Sequence, residues 1–229
     1  MRAALLLALA LAAPAGARSV RLLYVEAPES APPALFVVAG KEAARVDLPR
    51  LAVSSGKAEV PAAAVRLRLS DRAPSREHPL PPEAPAVDLP AGAGDVLLVL
   101  LPSGQPGPLG FRVQAIDFSP ARLADGGVLW LDLGARALDA RLGSAVARVA
   151  PGQARAMVPG AAPGATYPVI VDLAPAGPGA APLPLMRATW LRDPGRRQLL
   201  FILDDPERNV PRVVAIPDQS PPPPGPPAR

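Results

Sequence analysis

The sequence predicts an all-β protein built of one or two immunoglobulin-like antiparallel sandwiches. Three observations lead there. Apolar and β-branched runs of about four to seven residues recur along the chain, separated by Pro, Gly, Ser or Asp. The 229 residues include 19 glycines and 34 prolines, which punctuate those runs rather than forming one tract. After the first seventeen residues, no long window holds a convincing 3.6-residue apolar period.

The first expected strand is Val20–Val25 (VRLLYV). Ala34–Val38 and Ala43–Leu48 follow, separated by a turn at Gly40-Lys41. Lys57–Val60 comes next. In Val65–Leu69, Val65, Leu67 and Leu69 alternate with Arg66 and Arg68, which predicts a half-buried strand with a wet arginine face. Residues 71–94 are proline-rich and read as a surface connection. Val96–Leu101 (VLLVLL) is uninterrupted apolar sequence, expected of a strand buried on both faces. Phe111–Asp117 alternates again. Ser119-Pro120, closed by Gly126-Gly127, predicts one helical turn, with Ser119 as cap and Pro120 at its first position.

Further strands are expected at Val128–Leu133, Ala137–Leu142, Ser144–Val149, Ala154–Val158, Val169–Leu173, Leu185–Trp190, Gln198–Leu203 and Arg212–Ile216. Ala135–Val149 is the stretch nearest to a helix, because Ala and Arg favour one. Gly143 and the alternation of Leu138, Ala140 and Leu142 favour a hairpin instead. The last three strands, joined by Asp193-Pro194-Gly195 and by an acidic turn, read as a β-meander.

Met1–Ala17 has the layout of a secretory signal peptide: Arg2, then an apolar run from Ala3 to Ala13, then Pro14 and Ala15-Gly16-Ala17. The run is shorter than the ~20 residues a spanning helix needs. Cleavage is expected after Ala17, giving a periplasmic or secreted protein without a transmembrane segment. Pro102–Gly110 is the expected internal boundary. It divides the chain into 18–104 and 105–218, with a proline-rich tail at 219–229 that contains six prolines. A faint internal repeat matches Leu35-Phe36-Val37, Gly40 and Val46-Asp47-Leu48 to Leu129-Trp130-Leu131, Gly134 and Ala140-Arg141-Leu142. It then matches Lys57–Val60 to Ala154–Val158. This raises an internal duplication as an expectation.

Composition excludes several chemistries. Without cysteine there is no lipoprotein anchor, thiol nucleophile or Cys-ligated metal. His78 is the sole histidine, so multi-histidine zinc and copper sites are excluded. No P-loop or strand-following G-x-G-x-x-G occurs, so no nucleotide cofactor is expected. The formal charge is +4, and only Lys41 and Lys57 among the basic residues are lysines. The arginines are scattered and intermixed with acids, whereas a nucleic-acid binder concentrates them on one element.

Three residue groups carry candidate chemistry. Asp204, Asp205 and Glu207 cluster in the acidic turn, as a paired-carboxylate hydrolase or a Ca²⁺ site requires. Their spacing lacks the ligand alternation and Gly of an EF-hand loop, and the nearby Arg208 and Arg212 suit a solvated, neutralised turn. His78 would have to serve any Ser-His-Asp site, yet Ser75 sits in no G-x-S-x-G elbow. Trp130 and Trp190, each flanked by leucine, are expected in the core; exposed, they would stack on sugars.

The segment carrying Trp190, Leu191, Asp193, Pro194, Arg197, Phe201 and Leu203, together with the leader and short strands, resembles uncharacterised exported β-sandwich proteins of Gram-negative bacteria. The resemblance covers most of the mature chain and implies fold and location only, with no functional residue to carry over. The expectation is an exported, non-catalytic structural or protein-interaction module of the cell envelope. It needs no cofactor, and its partner is another envelope or exported protein. A hydrolase using Asp204, Asp205 or Glu207 and a carbohydrate-binding module using Trp190 are the alternatives.

Overall fold

A computed structural model of the chain describes residues 17–103, 109–177, 179–205, 208 and 210–219. The expected leader up to Gly16, Glu207 and the tail beyond Gln219 lie outside the described residues.

Among the described residues the fold is all-β, with no helix. The first eight strands are β1 (Ala17–Tyr24), β2 (Ala34–Ala39), β3 (Glu42–Asp47), β4 (Ala58–Pro61), β5 (Arg66–Ser70), β6 (Ala86–Asp88), β7 (Asp95–Pro102) and β8 (Phe111–Asp117). They form an outer sheet, β3-β2-β5-β6, and an inner sheet, β4-β1-β7-β8. The next eight are β9 (Val128–Asp132), β10 (Leu138–Leu142), β11 (Ala145–Val149), β12 (Ala154–Met157), β13 (Thr166–Leu173), β14 (Leu183–Leu191), β15 (Arg196–Leu203) and β16 (Arg212–Gln219). They repeat the same order as an outer sheet, β11-β10-β13-β14, and an inner sheet, β12-β9-β15-β16. Neighbouring strands are antiparallel except β1–β7 and β9–β15, which are parallel and equivalent in the two series.

The strand order therefore duplicates, but not in the alignment the sequence offered. Gly40 is equivalent to Gly143, not Gly134. Each fills the first position of a two-residue hairpin turn at φ 62°, where glycine meets no steric penalty. The sequence match slid β2 onto β9 because alternating Leu and Val look alike in any strand. Only its last step, β4 onto β12, agrees with the topology.

Strand alternation builds four layers. Val96, Leu98 and Leu100 of β7 face the core between the first outer and inner sheets. Leu97, Val99 and Leu101 face a second core, shared with Leu129, Leu131, Leu199 and Phe201 of the other inner sheet. Leu200 and Ile202 of β15, with Trp130, turn the opposite way into a third core against the second outer sheet. The two sandwiches are thus stacked inner sheet to inner sheet, which is why β7 and β15 are apolar on both faces. The expected boundary at Pro102–Gly110 falls between β7 and β8, which pair from Val96↔Asp117 to Pro102↔Phe111. The strand order begins again only at β9.

Three expectations change in detail, and one holds. Residues 71–94 include β6, too short and too poor in apolar residues to stand out. Val65 precedes its strand and is 73% exposed, while Leu67 and Leu69 are fully buried. The single turn at Ser119 forms as expected: the Arg122 and Leu123 N–H groups both donate to the Ser119 carbonyl at 2.9 Å. The expected meander divides between sheets. β14 pairs with β13, and the Asp193-Pro194-Gly195 turn carries the chain across to β15, which pairs with β9 and β16. A turn fixes the reversal of the chain but not the sheet that receives it.

The abundance of arginine over lysine has a structural use. Arg50 donates to the Glu29 carbonyl at 3.0 Å, and Arg68 to that of Pro82 at 2.8 Å. Arg136 donates to the Ala174 carbonyl at 3.0 Å, and Arg187 to Val171 at 3.0 Å beside a β-bulge. The guanidinium fork reaches loop carbonyls that a single ammonium holds less well.

Candidate functional site

At one end of the second sandwich, β9 and β15 run parallel and place Asp132 opposite Ile202. Strand alternation puts Asp132 on the face of Trp130, and Asp204 on the face of Leu200 and Ile202, so both carboxyls lie on the same side of the inner sheet. Asp132 is fully buried. Its Oδ1 accepts a hydrogen bond from the Gly134 N–H at 3.0 Å, and its Oδ2 has no partner among the described residues. Gly134 fills the space between the two acids: a Cβ there would lie 2.9 Å from Asp204 Oδ1 and 3.4 Å from Asp132 Oδ1. Burial pushes the Asp132 pKa from 3.8 to about 6. The Gly134 N–H opposes the shift and the Asp204 charge adds to it.

Asp204 and Asp205 both border a hollow of about 380 Å³, but they face different company. Asp205 accepts from the Arg208 N–H at 3.2 Å and lies 3.9 Å from the guanidinium groups of both Arg208 and Arg212. Arg212 also pairs with Glu26. Asp204 is exposed and has no ion pair among the described residues. The chain therefore joins Asp204 to Asp132, a residue the sequence reading passed over. Its only signal was an acid two residues beyond Trp130 on the same strand face. Glu207 lies outside the described residues.

The remaining candidates are dispersed. His78 is exposed in its loop, its N–H donating to Ser75 Oγ at 3.0 Å, while the Ser75 N–H donates to the His78 carbonyl at 2.9 Å. These are turn contacts. Trp130 is fully buried in the third core. Trp190 is only half-buried, a correction to its expected core position: β14 is an edge strand, so one flank of the indole lacks a neighbour. It borders a second hollow, of about 420 Å³, with Tyr167 and Ala215.

A different charged group joins the two sandwiches. Arg197 of β15, 1% exposed, donates through Nε to Asp218 Oδ2 at 3.0 Å, and Arg21 of β1 donates to Asp218 Oδ1 at 3.3 Å. Both guanidinium groups lie over the Phe118 ring, Arg197 at 4.3 Å and Arg21 at 4.7 Å from its centroid. Burial pushes the Arg21 pKa down, and Asp218 opposes it. The group marks one edge of the middle core and fixes how the inner sheets meet.

Among the described residues no three His, Cys, Asp or Glu side chains group as metal ligands, and no helix is long and apolar enough to cross a membrane. No protein-family model and no curated protein sequence matches the chain.

Proposed function

We propose that the chain is an exported, non-catalytic β-sandwich protein acting as a structural or protein-interaction module in the cell envelope, with another envelope or exported protein as partner. The observation that carries this reading is the four-layer stack. Three apolar cores and an Arg-Asp-Arg group, with Arg197 and Asp218 buried, make the two sandwiches one body. Such a body offers sheet edges and outer faces for contact. The leader-like first seventeen residues support export.

The test has two arms. N-terminal sequencing of protein recovered from the periplasm or medium is expected to begin at Arg18, and an intact Met1 there refutes export. Photo-reactive residues are placed in cells at Arg45, Val146, Thr189 and Leu191, one exposed site or more on each of β3, β11 and β14. Discrete crosslinks are expected from at least one strand, and none from any strand refutes the module.

A hydrolase is the second reading, favoured by one observation: Asp132 is held toward protonation beside the exposed Asp204, the split that acid–base pairs use. Against it, Asp132 has no exposed surface through which to meet a substrate. A loss of more than about a hundredfold in a measured hydrolase activity on Asp204→Asn, with the fold intact, would establish it.

A further inference from the structure

The two sandwiches differ along one side. In the first, β6 comes alongside β8 and closes the space between the sheets. In the second, the equivalent strands β14 and β16 make no comparable approach. The hollows of about 380 and 420 Å³ both lie on this side, each bordered by residues of β13, β14 and β15. Leu185, Met186, Ala188 and Trp190 of β14, with Val213 of β16, pack against the third core yet stay half-buried. Among the described residues β14 is bonded to no strand but β13, from Thr166↔Leu191 to Leu173↔Leu183. Its other edge has no strand partner among them, and a free edge presents main-chain donors and acceptors.

One end of this gap is aromatic, at Trp190 and Tyr167. The other is bordered by Arg136, Asp204 and Asp205: Arg136 donates to the Ala174 carbonyl, Asp205 is paired with Arg208 and Arg212, and Asp204 has no ion pair among the described residues, with the unpartnered, buried Oδ2 of Asp132 behind it. No cation pairs with Asp204 or Asp132 among the described residues. An inserted segment with a positive charge at that end would meet Asp204, with the buried Asp132 behind it.

We propose that the gap receives an extended segment of a partner protein, which adds as a strand to the free edge of β14. Its alternate apolar side chains enter between β14 and β16, and a Lys or Arg at one end lies beside Asp204. Main-chain pairing supplies affinity in such additions, and the side-chain pockets supply selectivity. The chain's own residues 220–229 suit this poorly, because proline has no N–H to give to a ladder. The proposal rests on the interaction-module reading and names the site and partner chemistry for it.

The test tethers a donor strand as long as β14, alternating Val and Thr and ending in Lys, through a Gly/Ser linker after Arg229. An otherwise identical fusion ends in Glu. Tethering raises the effective concentration to about the millimolar range. Trp130 is fully buried, so acrylamide quenching of tryptophan fluorescence reports Trp190. The Lys fusion is expected to cut the quenching constant about twofold and slow amide exchange in β14 about tenfold. The Glu fusion is expected to do markedly less, and Asp204→Asn to erase the difference between them. If a fusion fails to fold, the free peptides at millimolar concentration give the same two readouts. No protection from either strand overturns the proposal. Equal protection from both overturns its acidic end. A wild-type dimer whose contact slows β14 exchange puts a second copy in the gap and also overturns it. Crosslinks from β3 or β11 with none from β14 sink the gap and leave the module reading standing, whereas no crosslinks at all sink both.

Discussion

The first and second sandwiches share one strand order, one parallel pair each and the same glycine hairpin turn, yet they end differently. In the first, a long proline-rich connection precedes the three-residue β6 and is held by Arg68. β6 then lies against β8, and the buried polar residues are the uncharged Ser19, Ser54 and Ser70. In the second, the nine-residue β14 stands at an open edge, with a buried acid at the far end of the core. Repeating a topology repeats the hydrogen-bond scheme. It does not repeat the sides of the sandwich, which depend on how far each edge strand and its connections reach.

The largest expected effects compare the junction and the second core with the surface. Asp218→Ala leaves Arg197 buried without its partner and is expected to cost about 3–5 kcal/mol. Asp88→Ala, which breaks the exposed Arg66 pair on the first sandwich, is expected to cost less than about 1 kcal/mol. Urea unfolding of both variants measures the contrast, and similar costs would mean that the Arg-Asp-Arg group does not hold the inner sheets together.

Trp130→Ala is expected to cost about 3–5 kcal/mol through the cavity it leaves. Trp190→Ala is expected to cost about 1–2 kcal/mol, because part of the indole already faces the open side. Equal costs in the same unfolding assay would mean that the second sandwich is closed in solution.

Asp132 predicts a pH dependence of stability in the second sandwich. Its folded pKa of about 6 lies above its ordinary 3.8, so folding favours the protonated acid. The unfolded chain releases this proton first as pH rises. The stability contribution is therefore complete below about pH 4, declines through pH 6 and is lost above it, a fall of about 3 kcal/mol. Stability curves of the wild type and Asp132→Asn are expected to diverge by that amount across this range. Parallel curves would mean that the carboxyl finds a partner or solvent.

The smallest effect compares the two hairpins. Gly40→Ala is expected to cost about 1 kcal/mol for its positive φ alone, since nothing crowds its Cβ position. Gly143→Ala adds a contact with the Gly160 carbonyl at 3.2 Å and is expected to cost about 1–2 kcal/mol. Reversed costs would mean that the turn in the second sandwich adjusts more freely than its counterpart.

Most strand positions are legible in the sequence. Alternation and turn residues are local signals, so Phe111–Asp117 emerged with the bounds of β8, and Ala137–Val149 emerged as the β10–β11 hairpin. The run at Val96–Leu101 likewise revealed burial on both faces of β7. Tertiary structure alone decided which strands pair. The free edges of strands are chemically alike, and pairing is settled by packing between residues far apart in the chain. That packing made β1–β7 and β9–β15 parallel, divided β14 from β15, and left Trp190 at an open flank. It also brought Asp132 beside Asp204, and Arg197 and Asp218 to Arg21. In the sequence each of these is an ordinary polar residue at a strand end, because what a carboxylate or guanidinium does is set by its neighbours in space.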